Sequence, residues 1–277
     1  MEYFAFFGGV GPSVEIDLFD ALDDVILHQV LVGIEKFEAQ VSPSYLMEAP
    51  YRKLLIAVAR GDGKLLNVFR RARINETSGG ELITELVKSG VLYLEQSRES
   101  PLKSYPSQKV KKHLRTYRIQ AKARFRQPFL RFWFGFVEPY KNEIANGKVH
   151  TFLENFRQHQ DRCVGLVFEQ LSNDLLAKYY LQRDPLVGSG SFWDRHSEFD
   201  ILAISRSGSV ILGECKYRGR KVCKNELNKL QEKAVQSGIK VDSYALFSKN
   251  GFSNELRQSC GKELLLFELE DFKRLLF

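Results

Sequence analysis

Apolar residues recur at two different periods along this chain of 277 residues, and the switch between them lays out its elements. Tyr51 to Arg60 carries helical spacing and ends before Gly61-Asp62-Gly63. Lys64 to Ala72 and Thr77 to Ser89 repeat that spacing, and Gly90 stops the third helix before the strand-like Val91-Leu92-Tyr93-Leu94. An earlier helix is expected over Ala21 to Gln40. Pro128 to Val137 is the most aromatic stretch; it carries Arg131, is too short to span a bilayer, and reads as a buried bracing helix. Gln160 to Tyr180 is amphipathic, with Val164, Val167, Phe168, Leu171 and Leu175 on one face. Strand patterns then follow at Phe199 to Ser205 and Ser209 to Lys216, a helix at Lys224 to Ser237 through Leu227, Leu230 and Ala234, and further strands at Val241 to Ser248 and Glu263 to Phe267.

The pattern predicts an α/β chain, α+β overall, in four stretches. Residues 1–45 form a helical extension, 46–100 a winged helix-turn-helix, 101–150 a basic and aromatic connector, and 151–277 a domain with a mixed central sheet flanked by helices. In the winged helix, Thr77 to Ser89 takes the recognition position. It holds Glu81 and Glu85 with Lys88 as its sole base, which suits a packing or protein-interaction module as well as a reader of DNA.

Charge changes the picture after residue 99. No acid occurs between Glu99 and Glu138, whereas Lys103, Lys109, Lys111, Lys112, Arg115, Arg118, Lys122, Arg124, Arg126 and Arg131 all lie there. Interleaved with Tyr105, Tyr117 and Phe125, Lys103 to Lys122 are candidate contacts to a nucleic-acid backbone; a solvated face is the alternative.

The chemistry concentrates in Phe199 to Lys216, FDILAISRSGSVILGECK. Side chains alternate along a strand, so Glu214 and Lys216 share a face with Val210 and Leu212, while Ile211, Gly213 and Cys215 point the other way. A three-residue loop, Arg206-Ser207-Gly208, with glycine in the left-handed conformation, sets Ser205 against Ser209 and Asp200 against Glu214. A two-residue loop would put Asp200 opposite Cys215 and dissolve the site. Two convergent carboxylates suit a hard cation such as Mg2+, with Mn2+ as a substitute, and a nearby ammonium offsets charge developing on a phosphoryl group.

Asp200 followed by Glu214-x-Lys216 at the end of the next strand resembles the PD-(D/E)XK nuclease superfamily, with Phe199 where the name has proline. The resemblance implies a helix followed by a mixed sheet flanked by helices, with catalytic Asp200, Glu214 and Lys216. It also implies an acid on the preceding helix that assists the metal, here Glu169, which otherwise reads as a solvated helix residue. Together with the winged helix, LRFWFGFVEPYKNEIANG resembles the start of the C-terminal domain of unknown function in P-loop ATPases of the archaeal ATPase family, a likeness extending over about Tyr51 to Phe277. In those proteins an ATPase module precedes the winged helix. Here Gly8-Gly9-Val10-Gly11-Pro12-Ser13 lacks the Lys-Ser or Lys-Thr of a phosphate loop, so the chain is not expected to be an ATPase. A shortened protein, a split partner and a truncated reading frame remain open.

Composition adds bounds. The net charge of +7 favours a polyanionic partner. Cys163, Cys215, Cys223 and Cys260 form no Cys-x-x-Cys pair, and the five histidines lack metal-ligand spacing, so neither structural zinc nor disulfides are expected. With no signal-peptide pattern and no long apolar run, a cytoplasmic protein without membrane contact is expected. Three functions fit: a metal-dependent DNA endonuclease, in which a homodimer is an expectation by analogy; a catalytically weak or inactive DNA-binding regulator on the same fold; or an interaction partner of a separately encoded P-loop ATPase.

Overall fold

The computed structural model describes residues 1–99, 107–109 and 117–276. They divide into two compact units, Met1–Glu95 with Gln120–Val164, and Gln96–Ile119 with Gly165–Phe277.

The first unit opens with α1 (Glu2–Phe7) and α2 (Leu22–Val25), which runs into a π-helical turn at Ile26–Leu31; α3 (Ile34–Glu38) follows. The single helix expected over Ala21 to Gln40 is therefore interrupted, at Gly33. A Cβ there would lie 2.8 Å from the Gln29 carbonyl oxygen, so only glycine fits the tightened path. Next come α4 (Tyr51–Ala59), α5 (Leu65–Ala72) and α6 (Glu76–Lys88), then β1 (Leu92–Glu95), which pairs antiparallel with β2 (Lys122–Phe125), Leu92 opposite Phe125. The Asn75 side chain accepts the Ser78 N–H at 2.9 Å and caps α6, and Gly90 at φ +76 releases the chain into β1.

The aromatic block folds as α7 (Pro128–Phe132) continuing into a π-helical turn, Trp133–Val137, followed by α8 (Lys141–Ala145) and α9 (His150–His159). Phe129, Phe132, Trp133 and Phe134 are fully buried, as the sequence leads one to expect. Phe6 packs edge-on against Phe132 at 5.5 Å and Phe136 edge-on against Phe156 at 5.4 Å, which makes the core of this unit largely aromatic. Glu138 is buried within it at 2% exposure. Its carboxylate accepts the Trp133 indole N–H at 3.2 Å and pairs with Arg52 at 2.5 Å, so the charge is compensated.

Lys122, expected among the DNA contacts, is only 1% exposed and sits inside β2. Its ammonium is committed to the interior and is not a surface cation. A charge run reads as solvated, but β2 turns this member of it inward.

The second unit is built on a five-stranded mixed sheet, ordered β3-β4-β5-β6-β7. α10 (Asp161–Tyr180), within which the division between units falls, precedes β3 (Leu186–Trp193), β4 (Glu198–Ser205) and β5 (Val210–Lys216). α11 (Lys224–Gln236), β6 (Ser243–Ser248), α12 (Asn254–Gln258), β7 (Leu264–Glu268) and a final 3-10 turn (Leu269–Leu276) complete it. β3, β4 and β5 are antiparallel, whereas β5, β6 and β7 are parallel.

Both faces of the sheet are covered. Leu202, Leu212 and Leu246 pack with Leu227, Leu230 and Ala234 of α11 on one side; Ile201, Ala203, Ile211 and Phe247 pack with Phe168, Leu175 and Leu176 of α10 on the other. The alternation read from the sequence thus assigns Leu212 and Ile211 to opposite faces correctly.

β3 was not foreseen. Its sequence, LVGSGSFW, lacks alternation, and register shifts flank Gly188 and Gly190. The Arg98 guanidinium occupies the space a side chain at Gly188 would take, since a Cβ there would meet Arg98 Nη1 at 2.7 Å. Arg98 also donates to the Ser189 carbonyl, and the Ser97 hydroxyl accepts the Trp193 N–H at 2.9 Å. The chain just ahead of the basic segment is thereby fastened along β3. Among the described residues, no helix is long and apolar enough to cross a membrane.

Candidate active site

The register of β4 against β5 decides whether the two acids meet. Ile201 lies opposite Gly213, Leu202 opposite Leu212 and Ile204 opposite Val210. At the turn, the Ser205 N–H donates to the Ser209 carbonyl at 3.0 Å, which closes a three-residue loop with Gly208 at φ +88. One step beyond the Ile201–Gly213 pair, the same register sets Asp200 against Glu214, the arrangement expected from the sequence. The Ser207 hydroxyl and N–H both engage Asp184, which fixes the loop from outside.

The Asp200 carboxylate is held where ionisation is costly. Asp200 Oδ2 accepts the Cys215 backbone N–H at 2.7 Å. Burial, and then the neighbouring charges of Glu214 and Glu169, nevertheless hold the Asp200 carboxyl well above the usual carboxylate range; the Cys215 hydrogen bond and Lys216 oppose this only partly. The Glu169 carboxylate of α10 therefore acts electrostatically on Asp200. Lys216 forms an ion pair with Glu214, the two side chains being 24% and 12% exposed. Burial alone would lower the Lys216 ammonium, but the paired Glu214 carboxylate, together with Asp200 and Glu226, outweighs it and the pKa is raised.

Two further residues belong to this site and escaped the sequence reading. Arg218 Nη2 donates to Glu226 Oε1 at 2.7 Å, and Glu226, in the first turn of α11, is held below the usual carboxylate range mainly by that bond. Arg218 Nε is buried without a hydrogen-bond partner. Arg218 lies just past the end of β5 at Lys216, so strand alternation does not reach it, and Glu226 arrives only through the fold.

Asp200 and Glu214 suit a hard, oxygen-seeking cation, and positive charge there would relieve the repulsion that raises Asp200. Among the described residues, no group of three or more His, Cys, Asp and Glu side chains stands in metal-binding array. A cation between Asp200 and Glu214 would complete its shell with water, and the Glu169 carboxylate of α10 is near enough to act on Asp200 electrostatically. Of the basic residues expected at DNA, Lys109 and Arg118 are exposed, whereas Lys103, Lys111, Lys112 and Arg115 lie outside the described residues.

Residues 133–233 match the model of a family described as archaeal and bacterial proteins of unknown function, DUF234. Among curated proteins, none matches the chain. Among solved structures it is similar to the crystal structure of protein VC1899 from Vibrio cholerae, at 13% identity and a TM-score of 0.27, over 93% of this chain and 55% of that one. The chain thus spans little more than half the length of that protein, and a likeness of this degree does not define a shared fold.

Proposed function

We propose that the second unit is a PD-(D/E)XK-type endonuclease domain that hydrolyses DNA phosphodiester bonds with Mg2+, and that the three helices and two strands of the first unit form a winged helix-turn-helix. The observation that carries the reading is the facing pair Asp200 and Glu214 with Lys216 two positions further along β5. Asp200 and Glu214 would hold the cation, which supplies an activated water and polarises the phosphoryl group. The water oxygen bonds to phosphorus as the bond to the leaving oxygen breaks, and a proton passes to that oxygen. Lys216, charged at neutral pH, offsets the charge growing on the non-bridging oxygens. Glu169 sets the field at Asp200.

The basic segment supplies the reason for choosing a nucleic acid. It is acid-free between Glu99 and Glu138, and the residues just before it, Ser97 and Arg98, are fastened to the sheet that carries the acids. α6, with Glu76, Glu81 and Glu85, is poorly suited to a major groove, so backbone contacts from the basic segment bear most of the DNA binding.

Incubation of the purified protein with single- and double-stranded DNA in Mg2+ or Mn2+ tests this, alongside Asp200→Ala and Lys216→Ala. Cutting by the wild type and by neither variant is the expected result. Cutting that survives in both variants removes the catalytic assignment; DNA binding without cutting by the wild type leaves the regulatory reading in its place.

A further inference from the structure

The first unit contains a cation-lined hollow that the nuclease reading does not use. Arg60 at the end of α4, Arg70 and Arg71 in the last turn of α5, and Arg162 in the first turn of α10 converge on a cavity of ≈ 660 Å3. Asp62 is the sole acid in its lining, and both of its oxygens are engaged: Oδ1 accepts the Lys64 N–H at 3.0 Å and Oδ2 accepts the Asn67 amide at 2.8 Å. Among the described residues, none of the four arginines is ion-paired to a carboxylate. Arg71 donates to the Arg60 carbonyl at 2.7 Å, Arg70 to Asn67 at 2.9 Å, and the Arg60 guanidinium stands 5.8 Å from the Tyr140 ring centroid. Each of these contacts orients a guanidinium without neutralising it.

Four like charges held in one concavity repel one another, and a polyanion bound there relieves that repulsion. Guanidinium forks match phosphate oxygens in particular. A smaller hollow of ≈ 290 Å3 shares Arg60, Arg71 and Arg162 with the first and has a different character, walled by Phe136, Gly135, Asn155 and His159. An aromatic side chain, a glycine without a side chain, an amide and an imidazole suit a flat heterocycle that needs both contact area and hydrogen-bond partners. The paired hollows therefore match a charged group joined to a flat one, and their size is that of a small molecule.

We propose that this paired cavity binds a nucleotide, with its phosphates among Arg60, Arg70, Arg71 and Arg162 and its base against Phe136, Asn155 and His159. Because every lining residue lies in the first unit, the site is independent of Asp200 and Glu214. No phosphate loop is involved: the phosphates are held by side chains and not by a glycine-rich backbone cradle.

Isothermal titration of the full chain with ATP, GTP, inorganic pyrophosphate and a short DNA duplex, all in chelator so that no divalent cation engages the acids, tests the proposal. Saturable binding of ATP or GTP, one per chain, tighter than pyrophosphate, is expected. Arg162→Ala and Arg70→Ala each weaken it about tenfold or more, as expected for loss of a charge-assisted hydrogen bond, whereas Arg162→Lys loses less. Arg70 and Arg162 are exposed, so the variants should keep the wild-type melting temperature, and circular dichroism checks that they do. Absence of nucleotide binding overturns the proposal, as does binding indifferent to both alanine variants. Arg162-dependent binding of the duplex without nucleotide binding also overturns it, and reassigns the hollow to a nucleic-acid backbone.

Discussion

Asp200 Oδ2 accepts the backbone N–H of Cys215 at 2.7 Å, so the strand bearing Glu214 and Lys216 also orients the acid on its neighbour. The bond fixes the carboxylate without making it comfortable, because burial and two nearby acids favour its protonated form. On the proposed nuclease reading, function and stability are opposed at this residue. Asp200→Asn keeps the shape, removes the charge, and is expected to abolish cleavage while holding or raising the urea unfolding midpoint. Loss of stability in this variant would contradict the crowding of acids described here.

The same residue gives stability a definite pH dependence. A carboxyl whose pKa is raised by folding binds its proton more tightly in the native state, so its contribution is fully present below its unfolded pKa and is lost as pH rises through the folded value. Without metal, the wild type should lose stability relative to Asp200→Asn as pH climbs from about 4 through that elevated range. Mg2+ should restore the difference increasingly at higher pH, because it competes with the proton. Melting curves of both proteins between acid and neutral pH, with and without Mg2+, test the sign.

Gly188 and Arg98 form a second dependence. A side chain at 188 would collide with the guanidinium that donates to Ser189, so Gly188→Ala should cost about 1–2 kcal/mol, within the range for overpacking. The cost should fall in the background of Arg98→Ala, giving a coupling energy in a double-mutant cycle of urea midpoints. Additive effects would show that Arg98 does not hold the segment against β3.

The thiols offer a chemical check on the two packed cores. Burial raises the pKa of Cys163 and of Cys215, while Cys223 and Cys260 are exposed. A disulfide reagent at neutral pH should titrate two thiols quickly in the native protein and all four in urea. Four fast thiols under native conditions would mean that Cys215 does not face the α10 side of the sheet.

How much of this could be read from residues alone depended on the range of the interaction concerned. The β4–β5 register was legible because it is local: a period of two and one left-handed glycine determine which side chains meet. β3 was not, because Gly188 leaves room for Arg98, some ninety residues away, and Gly190 takes a φ of +150, so neither builds a strand face. The inward turn of Lys122 was hidden for a related reason, since a run of bases looks like a surface until the partner strand places one of them inside. The partnership of Arg218 with Glu226 likewise needed the chain to return at the first turn of α11.

Lys216 allows the sharpest test of how the site would work. Burial alone would lower its pKa and make it a candidate base, but the Glu214 carboxylate paired with it, with Asp200 and Glu226 nearby, reverses the sign and keeps the ammonium charged. A lysine in that state stabilises negative charge and does not abstract a proton from water. Lys216→Ala should therefore reduce cleavage by about 10²- to 10³-fold, the loss typical of removing one transition-state donor, while the pH profile keeps its shape, because the acids set its limb. Lys216→Arg, which retains the charge with altered geometry, should recover part of the rate. If instead the alkaline or neutral limb of the profile disappears in Lys216→Ala, and arginine gives no recovery, the lysine is acting as a base and the electrostatic role assigned to it is wrong.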